Sequence, residues 1–242
     1  MKVVPMIFNT EMVKAIINGR KTVTRRPMKP QPTDSGSGYM WWPSKVFETM
    51  INIEKTKEGQ FWDELVGDMC PLASIGDLVW IRETFSALGH DDFQQVSPMC
   101  LTEIHEYRYK ASEPVGLANC SDHEVRGYKW VPSIHMPRSA SRLTLKVTDV
   151  RIEQIQDISE DQAQCEGFRY NSLYNEWGGL EAHPDSRSHA PQWGWYEKAT
   201  HAFKSLWNSI YNNWDQNPYV WVVEFEVIHK NVDKVLAEVA CD

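Results

Sequence analysis

Residues 142–155 read RLTLKVTDVRIEQI. Leu143, Leu145 and Val147 recur at every second position, with Thr144, Lys146 and Thr148 between them. That alternation is the signature of a strand with one buried and one wet face. It is the clearest strand signal in the chain and predicts a central strand. Working outward, 217–228 (NPYVWVVEFEVI) predicts a closing strand, and 76–85 (GDLVWIRETF) predicts another after a Gly-Asp turn. HEYRYKA at 105–111 alternates, and KVVPMIF at 2–8 reads as an opening strand. KTVTRR at 21–26 is extended, with Pro27 closing it.

Helical patterns lie between these runs. In 9–20 (NTEMVKAIINGR), Asn9 or Thr10 is a cap, Met12, Ala15 and Ile16 share a face, and Gly19 is a stop. In 159–168 (SEDQAQCEGF), Ser159 and Gln162 have the spacing of a capping box and Gly167 ends the helix. In 196–211 (YEKATHAFKSLWNSIY), Ala199, Phe203, Leu206 or Trp207, and Ile210 fall on one face. The connection at 129–141 is rich in turn formers, and 27–60 and 168–193 read as irregular insertions. Many strands with few helices predict an α+β domain with a small curved or closed sheet over 1–230, and a helical or frayed tail at 231–242.

The composition excludes several classes. The chain has 242 residues, 42% of them hydrophobic, and a net charge of -8. No apolar run reaches the roughly 18 residues that span a bilayer, and the N-terminus lacks the apolar core of a signal peptide. The expected place is the cytoplasm, with no membrane partner. Five Cys, an odd count without a CxxC, argue for reduced thiols. Cys100 with His105, Cys120 with His123, and EAHPDSRSH at 181–189 contain metal-ligand types at spacings that match no common zinc pattern. No metal or cofactor is expected.

The charge is unevenly distributed. Met12 to Pro30 holds six Lys/Arg and no acid, and Val125 to Thr148 holds five Lys/Arg and no acid. Two such stretches form either one positive cleft on a negative body, which would draw phosphate, or two solvated faces.

NGRKTVTRR (18–26), GDLVWIRETF, PSIHMPRSASRLTLKVTDV (132–150), ISEDQAQCEGF (158–168) and LWNSIY…NPYVWVVEFEVI together resemble the ASCH domain of the PUA-like superfamily, in the larger form common in bacteriophages and prophages. The resemblance runs from about Val4 to Ile228 and leaves the two insertions uncovered. It implies a PUA-like small curved β-barrel with flanking helices. It also implies a partner: a modified nucleoside, RNA or DNA. A phage-encoded chain would work in the cytoplasm of its bacterial host. Some small bacterial ASCH proteins are amidohydrolases that remove an acetyl group from the exocyclic amine of cytidine, using a Lys, a Thr and a Glu. These match Lys21, Thr24 and Glu166. Other ASCH proteins bind or cleave RNA, so a non-catalytic binding module and a metal-independent ribonuclease stand as alternatives.

The residues make chemical sense of that match. Thr is a weak nucleophile and needs a base. Arg20, Arg25 and Arg26 disfavour the charged form of Lys21, and a neutral Lys21 takes the Thr24 proton. Glu166 holds Lys21 or protonates the leaving amine. Lys21 and Thr24, three apart, face opposite ways in a regular strand, so a twist or bulge is required. Arg20, Arg25 and Arg26 are substrate-binding candidates, as are Glu83 after its strand and Arg138 and Arg142 around SAS. The alternative for these last three is an arginine pair and a solvated corner. His135 is either a catalytic base or a core-edge residue, the second being the commoner case. Trp80, Trp130 and Trp221 are expected in the core. Trp41, Trp42, Trp193 and Trp195 form a lid or stack a base.

Overall fold

A computed structural model of the chain describes residues 1–34, 36, 40–44, 49–53, 68–90, 94–113, 129–180 and 194–240. In chain order its strands and helices are β1 (Val3–Ile7), α1 (Thr10–Ile17), β2 (Val23–Pro27), β3 (Thr33–Asp34), β4 (Met40–Ser44) and β5 (Thr49–Asn52). Then come β6 (Leu78–Arg82), β7 (Phe85–Leu88), β8 (Glu106–Tyr109), β9 (Thr144–Gln154), α2 (Glu160–Gln164), β10 (Arg169–Asn171) and β11 (Glu176–Gly178). The chain closes with β12 (Trp195–Tyr196), α3 (Ala199–Ile210), β13 (Tyr219–Ile228) and α4 (Val232–Val239). The class is α+β, dominated by sheet.

The central sheet has the order β1-β6-β9-β13-β2. β1 runs parallel to β6, and the other neighbours are antiparallel. β9 and β13 pair along their whole lengths, from Gln154 opposite Tyr219 to Thr144 opposite Ile228. Leu145, Val147, Val150 and Ile152 of β9 and Val220 to Val223 of β13 build the core with Ile16 and Val13 of α1. Strand spacing would hold the edges of a flat five-stranded sheet about 19 Å apart. The Arg26 guanidinium of β2 nevertheless donates to the Ile7 carbonyl of β1 at 2.8 Å. The sheet is therefore curled, and its two edge strands approach each other beside the C-terminal end of β1.

Local signals form as their chemistry dictates. The Asn9 side chain accepts the Met12 amide and caps α1, and Gly19 ends it with φ 69. Ser159 and Gln162 make the full capping box of α2. α3 buries Ala199, Ala202, Phe203, Leu206 and Trp207, while Ile210, read as part of that face, stays 47% exposed at the helix end. No side chain of its own caps α3. Glu160 of α2 does so, accepting the Ala199 amide at 2.5 Å and the Thr200 amide at 3.2 Å, where a carboxylate suits the helix dipole.

Both insertions carry strands where the sequence reads as irregular. β3, β4 and β5 form one small sheet, and β10, β11 and β12 another. β3, β10, β11 and β12 run two or three residues, too few for alternation to register, and Pro43 interrupts the pattern of β4. Trp42 is buried, meets Trp221 edge-on at 5.5 Å and donates to the Pro30 carbonyl at 3.0 Å. This sheet covers the core as a lid would. Trp80 and Trp221 are buried and Trp130 is half-buried. Trp193, Cys120, His123 and the 181–189 loop lie outside the described residues. The tail is a docked helix: Val232 and Val235 pack on Leu78 and Trp80, and Asn231 caps it while donating to the Ser141 carbonyl at 2.8 Å.

Candidate active site

The residues after α1 turn sharply before the strand begins. The Arg20 and Lys21 amides both donate to the Ala15 carbonyl. Lys21 stands alone in an antiparallel bridge with Glu166, and regular pairing with β13 starts at Val23. The Thr22 amide donates to the Cys165 carbonyl, and the Thr22 carbonyl accepts from Phe225. Opposite this point the β9–β13 pairing shifts register between Glu224 and Phe225. The irregularity expected between Lys21 and Thr24 is real: it is the break at Thr22, accompanied by a bulge in the neighbouring pair. It lets both residues line one pocket.

Glu166 arrives from a different direction. It follows α2 by two residues, and its amide closes a turn onto the Ala163 carbonyl. Gly167 then takes φ 106, a region costly for any residue with a Cβ. A Cβ there would also stand 2.8 Å from the Cβ of Lys21 and 2.8 Å from that of Ala15. Only glycine lets the Glu166 turn lie flat against Lys21.

The charges are buried and interlocked. Lys21 is fully buried and Glu166 is 3% exposed. Lys21 Nζ donates to Glu166 Oε2 at 2.5 Å, to the Val23 carbonyl at 2.8 Å and to the Glu166 carbonyl at 3.2 Å. Arg25 donates from Nη1 to Glu166 Oε1 and from Nη2 to Glu153 Oε2, both at 3.0 Å. Burial holds the Lys21 ammonium below its ordinary pKa; the Glu166 carboxylate opposes this, and Arg26 and Arg25 add to it. The depression expected from neighbouring arginines is present, with desolvation as the larger cause.

Thr24 is buried, yet its hydroxyl has no hydrogen-bond partner among the described residues. Arg26 is half-buried beside it, donates to Tyr211 Oη at 3.4 Å as well as to Ile7, and lies over the Phe8 ring. It has no carboxylate partner among the described residues. The opposite wall comes from α3 and its end: Phe203, Trp207 and Tyr211, the last two with ring centres 4.5 Å apart and planes tilted by 45°. The interior cavity is ≈ 20 Å³, about the room one water molecule needs. Sequence reading missed this aromatic wall. The signal available was Trp207 and Tyr211 four apart on one helix face.

The remaining candidates lie elsewhere. Arg20 donates to the Gly167 carbonyl and supports the Glu166 turn without lining the pocket. Glu83 and Arg142 pair with each other through two contacts, at 2.8 and 2.9 Å. Arg142 also stacks 4.0 Å from the Tyr109 ring centre and donates to Ser112 at 2.7 Å. Burial pushes the Glu83 carboxyl above its ordinary pKa, with Arg142 opposing. Arg138 pairs with Asp233 of α4 at 2.5 Å, and His135 is exposed. Among the described residues, no group of three or more His, Cys, Asp or Glu is placed to hold a metal ion. No helix among them is long and apolar enough to cross a membrane.

No family model, curated protein or solved structure matches the chain. The chemistry of the pocket therefore carries the functional reading.

Proposed function

We propose that the chain is a hydrolase of a modified nucleoside or nucleic acid, built on an ASCH-type, PUA-like curved barrel. Its substrate on this reading is the amide of a cytidine acylated on its exocyclic amine. The observation that carries it is the convergence of Lys21, Thr24 and Glu166 on one pocket. There the only uncommitted group of the three is the hydroxyl a nucleophile needs. The curled sheet with flanking helices supports the fold part of the reading.

The steps follow from these contacts. A proton moves from Lys21 to Glu166 across their 2.5 Å contact, leaving an amine beside a carboxylic acid, which burial favours over two charges. Lys21 gives up one acceptor, turns to Thr24 and takes its proton as Thr24 Oγ1 bonds to the acyl carbon. The C–N bond breaks, and the departing amine takes its proton from Glu166. That restores the Lys21–Glu166 ion pair and leaves an acyl ester on Thr24. Water hydrolyses the ester, releasing the acid. Arg26, free of any carboxylate, offers its charge to the developing oxyanion or to a phosphate.

One observation favours a second reading, a non-catalytic module that meets RNA at its surface: the cavity as it stands holds about one water, too little for a base. The test is chromatography of purified protein with cytidine acetylated on its exocyclic amine. Release of cytidine by the wild type, lost in Lys21→Ala and Glu166→Ala, supports the hydrolase. No release by folded protein at high concentration overturns it, and salt-dependent binding of RNA or modified DNA then tests the second reading.

A further inference from the structure

The charges of the pocket continue behind its wall. Arg25 is 4% exposed and is gripped from both sides. Glu166 takes Nη1 and Glu153 takes Nη2, each at 3.0 Å. The other oxygen of Glu153 accepts Arg151 Nε at 2.7 Å and Gln162 Nε2 at 3.3 Å. Gln162 is the capping-box residue of α2, the helix whose end delivers Glu166. Glu153 thus ties β9 to the guanidinium on Glu166 and to the helix that carries Glu166.

We propose that Glu153 is a positioning residue of this site, holding Arg25 so that one amino group meets Glu166 while the Lys21–Glu166 pair stays charge-balanced. For a role in turnover, this rests on the hydrolase reading above. Lys21 and Arg25 bring two cations, and Glu166 and Glu153 bring two anions. The quartet is neutral in a place where an unbalanced charge is costly. Arg151 beyond it is shared with Asp149 at 2.6 Å and Glu224 at 2.5 Å, so its own charge stays balanced when that of Glu153 is removed. The charged groups around Lys21 are Glu166, Arg25 and Arg26. Around Glu153 they are Arg25 and Arg151. Removing the Glu153 charge leaves Arg25 uncompensated beside Lys21, and its ammonium becomes less favourable.

The experiment is an NMR titration of lysine side chains in the folded protein. The Lys21 signal is assigned by its loss in Lys21→Met. Wild type is compared with Glu153→Gln and Glu153→Asp. Glu153→Gln keeps the shape and the acceptor and removes the charge. It is expected to move the Lys21 titration to lower pH by up to about one unit, with Glu153→Asp between it and the wild type. The alkaline limb of the pH–rate profile, where the Lys21–Glu166 pair loses the one proton that the mechanism passes between them, moves the same way, and KM stays unchanged. A Lys21 titration in Glu153→Gln equal to the wild type overturns the proposal. Should Glu153→Gln not fold, Arg25→Gln tests the same coupling with the opposite sign, raising the Lys21 titration; a fall or no change overturns the proposal. Absence of turnover in the wild type is read separately. It removes the hydrolase activity, while the titration still decides whether Glu153 sets the state of Lys21.

Discussion

Among the described residues, two buried carboxylates are gripped by arginine, Glu83 and Glu166, and their surroundings differ. Glu83 meets Arg142 head-on through two contacts, with Tyr109 and Ser112 completing the shell of the guanidinium. Glu166 is split between Lys21 and Arg25, and an unpartnered hydroxyl and a lone arginine lie at the same pocket. The first arrangement is closed: each nitrogen of the Arg142 guanidinium has its acceptor. On the reading proposed above, the second has somewhere for a proton to go and a nucleophile to receive it from. Burial of charge is common to both. What separates them is a cavity and an incompletely satisfied group, which is the physical content of a reactive site.

The sharpest way to break this comparison is at Lys21 and Thr24. Lys21→Ala is expected to abolish turnover by at least about 10²-fold, and to lower stability by about 3–5 kcal/mol because a buried carboxylate loses a partner. Thr24→Val should lose turnover as fully while leaving the denaturation midpoint near that of the wild type, since its hydroxyl has no bond to lose. Equal destabilisation by the two substitutions would contradict the geometry described for Thr24.

Glu83→Gln tests the other half. Disturbing that buried pair should cost about 3–5 kcal/mol in urea unfolding, with kcat/KM unchanged. A selective loss of activity at wild-type stability would move Glu83 into the working site.

The pH dependence of stability sharpens the contrast further. Burial lowers the Lys21 pKa, so between that value and about 10.4 the unfolded chain binds the extra proton. The wild type should therefore gain stability as pH rises through that window, relative to Lys21→Met followed over the same range. A constant difference between the two curves would remove the case for a depressed Lys21.

The smallest effect is expected at Arg138→Ala. Its contact with Asp233 lies at the surface, the two side chains being 39% and 58% exposed. Such pairs contribute about 0–1 kcal/mol, and activity should not change.

Much of the fold was legible because it is written at short range. The alternation of Leu143, Leu145 and Val147, the Asn9 cap, the Ser159–Gln162 box and Gly19 each act within a few residues, and each forms as read. The three candidate catalytic residues were legible through resemblance, and the break near Thr22 through the parity of Lys21 and Thr24. Other features were not. Glu160 caps α3 from 39 and 40 residues away. Glu153 reads as one more polar position on a strand until Arg25, 128 residues distant, is laid across it. Glu83 and Arg142 look like two open cleft charges until they are seen to satisfy each other.

By itself, then, the sequence determined where strands and helices lie, which faces are apolar, and that one acid-free segment holds a lysine and a threonine near arginines. Periodicity and caps are local properties, and the chain states them locally. The tertiary structure decided which charges meet. Lys21 reaches Glu166 across 145 residues because β13 sets the register of β2, Gly167 allows close approach, and the curl of the sheet brings Arg26 to Ile7. Whether a buried charge becomes a sealed strut or a reactive group depends on what fills the space beside it. Only the packed fold fixes that.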